Sequence, residues 1–366
     1  MAGIFDYLKW RGDISMTAVP LSDADRLILA ELAYIDLGAT DPEPLDELCV
    51  NALKRQTVIS DSGSSHTLLH HKKDEKLMLE LAKSPRFSEI NIGYCESRYS
   101  KRREEQFAAM TAFLPGGEAL VIFRGTDWTL VGWKEDFNLT YCDELPAQRS
   151  AVEYLTRIAE IHDGPIHVTG HSKGGNLAVY ASAFCPENVS KRILSITSLD
   201  GPGFGERVMN SPEYARIMDR VQTYMPSASI VGAILSRTGK FSIIKSRARG
   251  FAQHIPYYWE IMGGDFVMGA ARDGTSQIVE VALNEWINGL QPDERKKFID
   301  TVWSVFANVG VEELGDLFDG KNTRAIIKNY NSMDEESRTY IGETLAKLRS
   351  CAKASFRELI AETKKK

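Results

Sequence analysis

The segment Pro165-Ile-His-Val-Thr-Gly-His-Ser-Lys-Gly-Gly-Asn-Leu-Ala178 contains Gly170-His171-Ser172-Lys173-Gly174, a G-x-S-x-G pattern. A serine placed this way suits a strained strand-to-helix turn. Glycine two residues away on each side lets the backbone pass closely, and the turn presents the serine Oγ at the carboxyl edge of a sheet. The plainer reading is a glycine-rich turn, but the apolar stretch before it and the helix-forming stretch after it favour a nucleophile. A serine hydroxyl needs a base. In the chain order serine, acid, histidine, only His254 of the seven histidines lies downstream of His171. The base in turn needs a carboxylate to fix its tautomer. Asp200 leaves the strand-like Ile193-Leu-Ser-Ile-Thr-Ser-Leu199 and qualifies, although an Asp before Gly is also an ordinary turn residue. Asp219 precedes its strand, Asp265 follows His254, and Pro226-Ser-Ala-Ser229 offers no carboxylate. Acyl-transfer chemistry also needs oxyanion donors. The backbone N–H of Lys173, at the positive end of the next helix, is one. Thr126 in Val121-Ile-Phe-Arg-Gly-Thr-Asp127 offers the second.

These groups must be positioned by alternating strands and helices. The pattern predicts a hairpin from Phe107–Leu114 and Ala119–Phe123, a helix over Ala147–Ile161, and a strand at Ile166–Thr169. A helix over Gly175–Phe184 follows, then strands at Ile193–Leu199, Val221–Met225 and Phe241–Lys245. Such alternation implies a mostly parallel sheet with helices on both faces, an α/β fold. The first hundred residues read mainly as helices. Ser22 and Asp25 form a capping box, Asp41-Pro-Glu-Pro44 is a break, Ser60–His66 is an exposed polar loop, and a helix centred on Leu77–Leu81 stops before Pro85. After about residue 275 helices are expected at Ile278–Ile287, Glu294–Phe306 and Glu335–Glu362, the last ending in a solvated lysine run.

Composition narrows the partners. The chain has 366 residues, 43% hydrophobic and 26% charged, with a net charge of -6. It can bury a large core and presents no global basic surface for nucleic acid. Five scattered cysteines without metal-like spacing argue against disulfides or a zinc site and for a reducing compartment. Asp6, Lys9 and Arg11 interrupt any signal-like apolar region, and no 18-residue apolar run occurs, so a cytoplasmic protein without an integral membrane segment is expected. Asp200-Gly-Pro-Gly-Phe-Gly205 fails as a dinucleotide fingerprint because Glu206 stands where the third glycine belongs. Ser242-Ile-Ile-Lys245 lacks the partner motifs of an S-x-x-K enzyme.

Phe123-Arg-Gly-Thr126, Trp133-Lys-Glu-Asp136-Phe137 and Gly170-His-Ser-Lys-Gly-Gly175 together resemble the class 3 lipase family of α/β-hydrolases over about residues 105 to 260. Most of the chain is similar to a bacterial lipase-like family of unassigned function, through Tyr7-Leu-Lys-Trp-Arg-Gly-Asp13 and Gln253-His-Ile-Pro-Tyr-Tyr-Trp259. The resemblance implies an α/β-hydrolase fold with Ser172 as nucleophile, His254 as base, Thr126 in the oxyanion loop and Asp136 bracing that loop. His171, Gly170 and Gly174 support the turn. The family usually takes its acid after the next strand, where Met225-Pro-Ser-Ala-Ser-Ile230 has none; another lipase branch uses a Leu-Asp turn like Leu199-Asp200. The division expected is a helical covering region over 1–100, the hydrolase core over 101–270 and a helical region over 271–366. The expected chemistry is metal-free, cofactor-free cleavage of a small-molecule or lipid ester. The alternative is a non-enzymatic binding scaffold. Trp128, Leu130, Val131, Trp133, Ile230, Val231, Ile234 and Leu235 are candidates for lining an acyl pocket.

Overall fold

A computed structural model describes residues 2–61, 71–127, 129–229, 231–235, 238–270, 281–287, 289–306 and 320–347, with positions 309 and 350. The chain runs α1 (Ile4–Arg11), α2 (Asp23–Leu32), β1 (Glu43–Pro44), α3 (Leu45–Asp61), α4 (His71–Leu81), α5 (Pro85–Ser88), β2 (Asn91–Ser100), β3 (Glu105–Phe113) and β4 (Ala119–Phe123). It continues through α6 (Leu130–Asn138), α7 (Pro146–Ile161), β5 (Ile166–His171), α8 (Lys173–Phe184), β6 (Ile193–Leu199), β7 (Val221–Pro226) and β8 (Lys240–Ile244). Among the described residues the main sheet has eight strands in sequential order. Pairing is antiparallel from β1 to β4 and parallel from β4 to β8. This is the mixed α/β-hydrolase architecture.

The sequential order decides how the faces are covered. Parallel strands added in one direction through right-handed crossovers place their connecting helices on one face. On that face α7 and α8 pack, through Tyr154, Leu155, Ile158, Leu177 and Ala181, against Val121, Phe123, Ile166, Val168 and Ile196. The alternate β4 residues Leu120 and Ile122 point the other way. There they meet α1 to α4 through Ile4, Leu27, Ile28, Leu48, Leu77 and Leu81. Helix α2 begins at the expected capping box, with Ser22 and Asp25 bonded reciprocally.

Several expectations need correction. β2 lies within the region read as helical. Its polar sequence is interrupted by a register shift between Gly93 and Glu96, where Tyr94 adopts φ +53°, so the two-residue alternation that marks a strand is broken. Helices α1 and α3 also arise outside the expected spans, and α3 extends through Asp61, so that Ser60 and Asp61 of the expected loop are helical; 62–66 lie outside the described residues. The helix expected over Glu294–Phe306 is observed at Pro292–Ser304. Residues 281–287 and 335–347 are helical, whereas 278–280 and most of 348–362 are not described. The Pro292–Ser304 helix packs on α6: Trp303 Nε1 donates to the Leu130 carbonyl at 3.2 Å, and Lys134 bridges Glu104 and Asp300. No helix among the described residues is long and apolar enough to cross a membrane.

Candidate active site

Strand β5 ends at His171, and Ser172 follows with φ +58° and ψ -130° before α8 begins. A non-glycine residue in that region is strained, and the surroundings hold it there. The Ser172 N–H donates to the Leu199 carbonyl, and the Gly175 N–H donates back to the Ser172 carbonyl at 2.8 Å. The glycine spacing has a steric cause: a Cβ on Gly170 would lie 2.2 Å from the Gly174 carbonyl oxygen, and one on Gly174 would lie 2.0 Å from that of Phe123. The structure places Ser172 more deeply than an exposed turn would, at 8% exposure.

The end of β6 turns sharply as well. Asp200 adopts φ +53°, and its N–H donates to the Tyr224 carbonyl at 2.7 Å. Its side chain is fully buried and reaches across the end of β7. Oδ2 accepts from His254 Nδ1 at 2.7 Å, and Oδ1 accepts from Ser229 Oγ at 2.5 Å. The turn after β7 therefore supplies a hydrogen-bond donor to the carboxylate of the preceding strand. His254 sits at the end of the short helix Gly250–His254, and Trp259 Nε1 secures the neighbouring Gln253 carbonyl at 2.8 Å.

His171 links the turn to His254. Burial, and then the proximity of His254, hold its pKa well below the ordinary histidine value, so the ring is neutral. Its Nε2 faces the His254 carbonyl oxygen at 2.9 Å and must carry the proton. Nδ1 is then the acceptor, and the Tyr34 hydroxyl donates to it at 3.0 Å. That hydroxyl lies directly against Gly125. A Cβ on Gly125 would collide with it at 2.1 Å and lie 2.9 Å from Ser172 Cβ. Tyr34, delivered by the chain just after α2, is thus a site residue that sequence reasoning missed. Only its tertiary approach to Gly125 reveals it.

The turn after β4 carries Thr126, whose Oγ1 donates to Asp136 Oδ2 at 2.5 Å. Asp136 lies on α6, which is capped by Thr129. Burial pushes the Asp136 carboxyl up to about 6, against the lowering effects of Lys173 and the Thr126 hydrogen bond. The Lys173 N–H is the first of α8, where no intrahelical acceptor exists. The structure therefore brings Ser172, His254, Asp200, His171, Gly170, Gly174, Lys173, Thr126 and Asp136 to one edge of the sheet. Glu135, beside Asp136, is a second residue missed: it is fully buried and paired with the Lys173 ammonium at 2.8 Å. Of the acyl-pocket candidates, Leu130 is buried, while Val131, Trp133, Val231, Ile234 and Leu235 are half-buried; Trp128 and Ile230 lie outside the described residues.

A family model described as Mbeg1-like matches residues 81–304. No curated protein matches the chain. Similar solved structures include a deletion mutant of the Rhizomucor miehei lipase propeptide complex, 17% identical, with 43% of this chain and 56% of that chain covered and a TM-score of 0.33. M37 lipase is 18% identical over 58% of this chain and 69% of its own, with a TM-score of 0.34. A triacylglycerol lipase from Penicillium expansum is 12% identical over 43% of this chain and 71% of its own, with a TM-score of 0.31. The chain thus spans just over half of the first of these.

Proposed function

We infer that this chain, which belongs to the Mbeg1-like family, is a lipase-like serine hydrolase that cleaves carboxylic esters through an acyl-enzyme on Ser172. The observation that carries the reading is the 2.7 Å bond from His254 Nδ1 to the buried Asp200 carboxylate, beside a serine held at φ +58° on a strand-to-helix turn. Asp200 fixes the tautomer, so base chemistry runs through His254 Nε2. As Ser172 Oγ bonds to the ester carbonyl carbon, its proton passes to Nε2. The resulting oxyanion is met by the backbone N–H groups of Lys173 and Thr126. Collapse expels the alcohol, which takes the proton from Nε2. Water then repeats the sequence and releases the carboxylic acid.

The hydrogen bond from Thr126 to Asp136 supports the oxyanion assignment, because it holds the threonine turn against α6. The half-buried apolar side chains of Val131, Trp133, Val231, Ile234 and Leu235 support an apolar acyl group. The test is turnover of a p-nitrophenyl ester series of increasing acyl length by the wild type and Ser172→Ala. The expected result is turnover by the wild type, with a chain-length optimum, and none by the variant. Absence of turnover across the series would leave a binding scaffold as the better reading.

A further inference from the structure

Lys173 contributes more than its backbone. Its side chain is buried at 1% exposure. An ammonium has three N–H donors. Here Nζ lies 2.6 Å from the Gln106 carbonyl, 2.7 Å from Gln106 Oε1 and 2.8 Å from Glu135 Oε2. All three donors are consumed, so the ammonium has none left for a substrate.

The partners show what the side chain joins. Glu135 Oε2 also accepts the Gln106 N–H at 3.0 Å, and Oε1 accepts the Ala147 N–H at 2.9 Å. Gln106 is on β3, Ala147 on α7 and Glu135 on α6, next to the Asp136 that holds Thr126. The Gln106 amide is turned to offer Lys173 its oxygen, while Nε2 has no partner among the described residues. A Cβ on Gly132 would lie 2.9 Å from Thr126 Cγ2 and 3.2 Å from Gln106 Oε1, so the knot sits directly under the threonine turn.

We propose that the Lys173 side chain is a positioning residue: through Glu135 and Gln106 it fixes the first turn of α8 against α6, and so sets the separation of the Lys173 and Thr126 backbone donors. A buried ion pair is a poor source of stability compared with an apolar pair of the same volume. It does impose a defined geometry on groups that apolar packing would let slide. Oxyanion donors gain their effect from being aimed before the reaction begins, and small misplacement is costly. This role rests on the hydrolase reading, but the structural tie can be tested separately.

The experiment compares the wild-type chain with Lys173→Met and with Lys173→Met/Glu135→Gln; the double variant leaves no unpaired buried charge if the single one fails to fold. Amide hydrogen exchange over residues 124–138 is measured alongside turnover of p-nitrophenyl butyrate. Exchange in that segment is expected to rise about tenfold, and kcat to fall about tenfold to a hundredfold with KM within about twofold. Wild-type exchange in a folded variant overturns the proposal whether or not the protein turns over ester. So does wild-type kcat in an active protein. Raised exchange in a chain that never turns over ester supports the tie and removes the hydrolase reading instead.

Discussion

Two buried aspartates, Asp25 and Asp200, are used in opposite ways. Asp25 lies inside a helix and is saturated by permanent partners: Arg86 Nε at 2.8 Å and Nη2 at 2.5 Å, the Tyr7 hydroxyl at 2.8 Å, and the Ser22 N–H and hydroxyl. Arg86 spends its remaining N–H groups on the carbonyls of Ile14, Val19 and Pro20. Asp200 sits on a strained backbone and faces one serine and one titratable ring. A guanidinium cannot give up its proton, whereas an imidazole can near neutral pH. Burial and ion pairing alone therefore do not mark a site. Strain together with a titratable partner sets Asp200 apart from Asp25.

The largest expected effects lie on the Asp200 side. Ser172→Ala should remove turnover, and Asp200→Asn should lower kcat by about ten-thousand-fold through the wrong His254 tautomer. Both should leave the melting temperature close to wild type; a matching loss of stability would erase the contrast. Arg86→Ala should do the reverse. Leaving Asp25 buried without its cation should cost about 3–5 kcal/mol in denaturant titration, with kcat per folded molecule within about twofold.

Another buried carboxyl sharpens the covering side. Burial, and then Asp74, push Glu31 up from 4.5 to about 8, with Lys73 opposing. Between those values the folded chain holds a proton that the unfolded chain has released, so stability should fall as pH rises from about 5 to 8. Thermal melts of Glu31→Gln should show a smaller fall over that range. An unchanged slope would remove Glu31 as its source. The smallest effect belongs to Tyr34→Phe. Removing one hydrogen bond from the chain joining Tyr34, His171 and His254 should lower kcat about two- to tenfold, with little change in stability.

Local chemistry made much of this legible. The boundaries of β6 follow from an unbroken β-rich run ended by Asp-Gly, and the glycine spacing around Ser172 follows from two backbone contacts. His254 stood out through chain order, and Asp200 through its place at a strand end. Tyr34 carries no such signal, because it meets Gly125 only after α2 folds over the sheet. Glu135 looked like one more charge on a helix, although it is the buried partner of Lys173. β2 was hidden by its bulge. The residues that escaped are those whose roles depend on contacts between distant segments.

The proposed function makes Ser172 a nucleophile activated by His254 and Asp200. That role is read out by treating the full chain with a fluorophosphonate and locating the adduct by peptide mass spectrometry. One covalent adduct on Ser172 is expected, formed far more slowly in Asp200→Asn and absent in Ser172→Ala. An unmodified Ser172, or labelling at equal rate in Asp200→Asn, would contradict it.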